Sequence, residues 1–176
     1  RTTKFVHDSA VRHLFGVNLK GEQKPLPTLE GSYWLSRIVF LRSLAGIYLV
    51  AFLVAFLQNE ALIGIKGLTP YDMYLESLEK DPRNGLDWWS RFLKHPTLFW
   101  LIPMSGHPFA DLYLTACAVT GASVSALILV TGSANIPLLT TLWLLYLSLV
   151  NVGQTWYSFG WESQLLEIGF LAIWAV

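Results

Sequence analysis

The chain has 176 residues, 53% hydrophobic and only 14% charged, with a formal net charge of zero and a mean hydropathy of +0.46. A soluble domain carries about 25% charged residues, and a chain this apolar cannot stay solvated as a disordered polymer. The single cysteine, Cys117, excludes a disulfide scaffold, and the neutral balance without a basic stripe excludes nucleic-acid binding.

Residues 1–32 read as a tail and linker. Phe5, Ala10, Leu14 and Val17 fall on one side of a possible short interfacial helix over 5–17, with Asp8 and Arg12 on another; a loose tail is the alternative. Pro25 and Pro27 mark a linker over 21–28. This stretch lacks the apolar core of a signal peptide, so the first apolar run acts as its own insertion signal. Tyr33 and Trp34 stand just before that run, where amphipathic rings favour the headgroup zone.

Four apolar runs follow, over about 38–57, 112–130, 136–152 and 163–176. About 19 helical residues span roughly 28 Å, close to the hydrocarbon thickness of a bilayer. The fourth run is still apolar at Val176, so the chain reads as a piece of a longer one, and its start at Arg1 rather than Met agrees. Every charge except Glu162 and Glu167 lies at or before Asp111. Soluble helices need a polar face, and the last third of this chain supplies none. The expected fold is therefore all-α: a multi-pass transmembrane helix bundle of about four spans over 33–176, the last incomplete.

Lys and Arg are denser on the N-terminal side of the first run (Arg1, Lys4, Arg12, Lys20, Lys24, Arg37, Arg42) than in the acid-rich loop 58–111. The positive-inside bias puts the N-terminus in the cytosol and the loop on the lumenal side. The 131–135 turn is then cytosolic and the 153–162 turn lumenal. Within the loop, turn signals stand at Gly67-Leu68-Thr69-Pro70 and Asn84-Gly85, and short helices are predicted over 71–80 and 87–94. Pro96 to Pro103 is apolar but too short to cross, and reads as an interfacial or re-entrant element. No Asn-x-Ser/Thr sequon is present. In the second run Ala118, Ala122 and Ala126, with Gly121 and Ser125, form rows that let helices approach closely.

Two acids could carry chemistry. Glu162 stands at a helix N-terminus, where the dipole favours an anion; capping competes with a functional role. Glu167 lies five residues further in, is expected to be partly buried, and so needs a partner. Arg37 and Arg42 begin at the opposite side of the membrane, which leaves Asn151 and Gln154 as candidates. The four histidines show no ligand spacing, and no nucleophile elbow or phosphate loop occurs. No metal or other cofactor is expected. Trp156, Tyr157, Phe159 and Trp161 make an aromatic belt at a membrane–water boundary.

The segment 151–171, NVGQTWYSFGWESQLLEIGFL, resembles the lipase maturation factor family. Tyr33 to Arg37, Ala51 to Phe56, Gly67 to Pro70, Pro96 to Trp100 and Thr131 to Asn135 resemble it too. The resemblance covers about 33–176. It implies a multi-pass protein of the endoplasmic reticulum membrane that is not an enzyme. Such proteins assist folding and assembly of secreted dimeric lipases of the lipoprotein lipase type, with other chaperones as further possible partners and membrane lipid around them. Family members continue into further spans and a large lumenal domain, so this segment is expected to be the membrane scaffold. No catalytic residue is carried over. The candidate structural or client-contact residues are Trp100, Asn151, Gln154, Trp156, Tyr157, Trp161, Glu162 and Glu167. Two other readings stay open. One is a membrane-embedded enzyme resembling the membrane half of vitamin K-dependent carboxylases, with Glu162, Glu167, Asn151 and Gln154 around a polar pocket and Glu167 accepting a proton. The other is a transporter bundle, to which only Pro137 hints.

Overall fold

The computed structural model describes residues 33–81, 87–101 and 110–176. The expected tail helix over 5–17, the linker over 21–28, the Asn84-Gly85 turn and the end of the 96–103 segment lie outside them. Residues 36–176 form one compact unit. Among the described residues all regular structure is helical, as expected: α1 (Trp34–Ile63), α2 (Tyr71–Lys80), α3 (Trp88–Lys94), α4 (Ala110–Thr131), α5 (Ile136–Val152) and α6 (Gly160–Trp174), with 3-10 turns at Leu98–Leu101 and Gln154–Tyr157.

Two helices, α1 and α4, are long and apolar enough to cross a membrane, and α5 is a shorter apolar helix. The first differs from its predicted bounds. The apolar run ends near Leu57, but α1 continues through Gln58, Asn59 and Glu60 to Ile63. Its C-terminal carbonyls explain this. Gly64 N–H donates to Asn59 O, Leu68 N–H to Ala61 O and Thr69 N–H to Leu62 O. The 64–69 turn thus folds back and satisfies carbonyls that the helix alone leaves orphaned. At the other end of the bundle Gly132, at φ 68°, closes α4 in the left-handed conformation. The Arg42 guanidinium lies against it, 2.7 Å from where a Cβ would stand. A cation there complements the helix dipole. Asn135 then caps α5, its side chain accepting from Leu138 N–H at 2.9 Å, with Pro137 in the first turn.

The helices alternate in direction. Asp111 at the start of α4 accepts from Ile65 N–H at 2.8 Å, just past the end of α1. The segments 64–81 and 87–101 and the α5–α6 turn therefore share one end of the bundle, and the 131–135 turn lies at the other. α5 packs on both α4 and α6. The core is aromatic: Tyr48, Phe52 and Tyr146 are fully buried, with ring centroids 5.6 to 6.1 Å apart and Tyr146 edge-on to the other two. Tyr48 O–H donates to Leu165 O at 3.3 Å. Glycines make the room. A Cβ on Gly121 would strike the Phe52 ring, and one on Gly169 would strike the Tyr48 hydroxyl. Gly121 and Ser125 of the small-residue rows are indeed buried, as is Ala118. The outer face of α1 is apolar and exposed at Ile47, Val50, Leu53, Phe56 and Leu57. An apolar core wrapped in an apolar outer surface is the pattern that lipid tolerates and water does not.

Candidate functional site: the α5–α6 turn and the segments docked on it

The densest polar network sits where α5 turns into α6, and it ties three distant segments together. Asn151, in the last turn of α5, donates through Nδ2 to Pro96 O at 2.8 Å and to Leu147 O at 2.9 Å. One turn earlier, Ser148 Oγ accepts from Leu98 N–H at 3.0 Å, and Thr97 Oγ1 donates to Ser148 O at 3.3 Å. These bonds hold the Pro96–Leu101 segment along α5. Past the helix, Gln154 adopts a left-handed backbone at φ 49° and donates through Nε2 to Thr69 O at 3.3 Å. Trp156 Nε1 donates to Thr69 Oγ1 at 2.9 Å. The stretches that carry the family resemblance at 67–70, 96–100 and 151–162 are thus one contact.

Tyr157 completes the link to α1. Its hydroxyl donates to Asn59 Oδ1 at 2.6 Å. Burial pushes the Tyr157 phenol up to about 12; the Asn59 hydrogen bond pulls the other way and the nearby Glu162 carboxyl adds to the rise. The phenol is a neutral donor at any physiological pH.

The eight candidate residues separate. Asn151, Gln154, Trp156 and Tyr157 converge on the docked segments. Trp100 makes a local closure, its Nε1 donating to His95 O at 2.8 Å. Trp161 is half-exposed, with its ring 6.4 Å from Tyr146. Phe99, beside Trp100, is buried against Tyr71, with ring centroids 5.2 Å apart. Glu162 is buried at 2% exposure, deeper than a capping role at the boundary implies, and its Oε2 has no partner among the described residues.

Glu167 reverses the expectation. It is exposed on the outer side of α6 and makes no hydrogen bond or ion pair among the described residues. Five residues on a helix turn the side chain through about 140°, so burial of Glu162 carries Glu167 away from the core. The four polar residues of the enzyme reading therefore line no common pocket. Asn151 and Gln154 are engaged with backbone carbonyls, and Glu167 faces outward. Among the described residues no group of three or more His, Cys, Asp or Glu could hold a metal. Sequence reasoning passed over Asn59, Thr69, Ser148 and Tyr146. Asn59 had a signal, an amide beside the last turns of an apolar helix, but its partner lies 98 residues away.

An all-helical bundle whose polar groups gather at one end, inside an apolar exterior, defines an integral-membrane helical protein. The family described as "Lipase maturation factor transmembrane domain" matches residues 35–176, and the chain belongs to it. Relatives include lipase maturation factor 1 of Bos taurus, 51% identical over 158 residues (90% of this chain, 27% of the relative), and of Mus musculus, 54% identical over 143 residues (81% and 24%). Lipase maturation factor 2 of Homo sapiens is 33% identical over 140 residues (79% and 19%). The chain spans about a quarter of the length of the first two. No solved structure matches it.

Proposed function

We propose that this chain is the membrane scaffold of a factor of the endoplasmic reticulum that assists folding, assembly and maturation of secreted dimeric lipases. Four helices, α1, α4, α5 and α6, form its spans. The N-terminus is cytosolic, and the loop after α1 and the α5–α6 turn face the lumen. The observation that carries the reading is the docking of residues 67–70 and 96–100 on the α5–α6 turn, in a chain whose relatives are named for lipase maturation. The charge bias supports the orientation. Trp156, Phe159 and Trp161, at 37%, 61% and 47% exposure, form an apolar surface beside the membrane where a lipase intermediate is held.

Deletion of the gene in a lipase-secreting cell tests this. Secreted lipase should lose specific activity, meaning activity per amount of lipase protein; unchanged specific activity refutes the reading. Restoring the full-length protein with Glu167→Gln should restore maturation completely, because that carboxyl is exposed and makes no hydrogen bond or ion pair among the described residues. Loss of maturation with normal protein abundance would favour general-base chemistry at Glu167 over a scaffold.

A further inference from the structure

Helix α3 has two distinct faces, and it presents them in the reverse of the way that water favours. At about 100° per residue, Trp88, Trp89, Phe92 and Leu93 fall within an arc of about 140°, and Ser90, Arg91 and Lys94 fill the opposite side. The neighbouring α2 buries its apolar residues Tyr71 and Leu75 in the core, as an amphipathic helix should. In α3 the charged side turns inward. Arg91 Nη1 donates to Glu79 Oε1 of α2 at 2.7 Å, and the Arg91 side chain is only 17% exposed. No residue of α3 is buried, and Trp88, Trp89 and Leu93 are 47%, 59% and 65% exposed. The Phe92 ring lies 5.4 Å from that of Trp88 and 6.1 Å from that of Trp89, so the three rings make one outward slab.

The bilayer is within reach of that slab. α3 runs directly into the segment held along the last turn of α5. His95 N–H donates to Arg91 O, Trp100 Nε1 donates to His95 O, and Pro96 O accepts from Asn151. Leu93 stands three residues before Pro96, at most about 11 Å of extended chain. The headgroup zone of one leaflet is about 5–8 Å deep, and a helix lying in the membrane plane sinks its apolar face by about 5–10 Å. An aromatic slab tied this closely to the end of a membrane helix shares that zone. Indole rings favour it, being apolar in body with one polar N–H. A soluble partner would have to enter the headgroups to cover the slab, whereas lipid already surrounds the bundle.

We propose that α3 is an in-plane membrane anchor. It lies in the headgroup zone of the leaflet that holds the α5–α6 turn, with Trp88, Trp89, Phe92 and Leu93 toward the acyl chains and Arg91 toward α2. The proposal rests on the transmembrane assignment and needs neither the lipase role nor the endoplasmic reticulum address. The test uses the full-length protein in phosphatidylcholine nanodiscs. Subtracting the fluorescence of the Trp88→Phe/Trp89→Phe double variant from that of the wild type isolates these two indoles. Phosphatidylcholine brominated near the headgroup end of its acyl chains should quench that difference signal, and aqueous iodide should leave it unchanged. Quenching by iodide would put the slab in water. Shielding from both quenchers would put it under protein, a client or a second copy. Either result overturns the proposal. A second measurement needs no subtraction. Trp89→p-benzoylphenylalanine keeps a large aromatic side chain, and irradiation should attach phospholipid to it, seen as added mass on the 87–101 peptide; adducts to protein alone overturn the proposal. Failure of the wild type to enter nanodiscs at all would refute the transmembrane assignment, and this proposal with it.

Discussion

Replacing Gly121 by alanine should destabilise the bundle by about 1–3 kcal/mol, the usual cost of inserting a methyl group into a filled core. The added Cβ would stand 2.5 Å from Phe52 Cδ1, with Cε1 and Cζ nearer still. Carbon atoms sit comfortably at about 3.5–4.0 Å, so the ring must retreat by roughly 1 Å. It has nowhere to go: Phe52 is fully buried and flanked by Tyr48 and Tyr146. Phe52→Leu shortens the obstructing side chain and alone should cost less than the about 3–5 kcal/mol of a Phe→Ala change. Combined, the two changes should offset one another, with a coupling of about 0.5–3 kcal/mol toward stability. Unfolding of the purified protein by dodecyl sulfate in mixed micelles, followed by circular dichroism, measures all four forms. Wild-type stability in Gly121→Ala, or a double variant equal to the sum of the singles, would refute the contact between α1 and α4.

Asn151→Leu removes two hydrogen bonds to carbonyls and should cost about 1–3 kcal/mol; limited proteolysis should then cut the 95–101 segment faster, whereas an unchanged rate means that Ser148 and Thr97 suffice to hold it. Trp156→Phe keeps most of the ring but loses the indole donor to Thr69 Oγ1, for about 0.5–1.5 kcal/mol. Thr69→Val should cost a similar amount, and additive losses in the double variant would deny that bond. Tyr157 sets a pH limit. Its folded pKa is raised from 10.0 to about 12, so its contribution is intact below pH 10 and is lost as the pH rises through 12. A difference titration of tyrosinate absorbance between wild type and Tyr157→Phe should show one phenol ionising near 12; ionisation near 10 would contradict its burial.

Much of the helical frame was legible because apolar runs and turn residues act locally. The α5 bounds, 136–152, follow from the apolar run itself, which stops at the polar turn after Val152. The 71–80 helix follows from its own periodicity. What hydropathy cannot supply is the direction of a side chain around its helix. Glu162 and Glu167 stand in one apolar run, yet the first faces the core and the second faces out. Choosing between them needs to know where Tyr146 and Tyr157 lie. The polar extension of α1 was illegible for the same reason. Gln58, Asn59 and Glu60 look like the beginning of a loop until the 64–69 turn folds back and Tyr157 arrives. The burial of Phe99 against Tyr71 was illegible too, because a run of apolar letters does not distinguish a surface from a plug.

The Tyr157–Asn59 and Trp156–Thr69 bonds join residues 98 and 87 positions apart. Ribosomes make about 5–20 residues each second, so Asn59 and Thr69 must wait roughly 5–20 s for their mates. During that interval the first hydrophobic helix carries an unmatched amide and an undocked strap. Docking of the α5–α6 turn ends that interval by supplying both bonds at once.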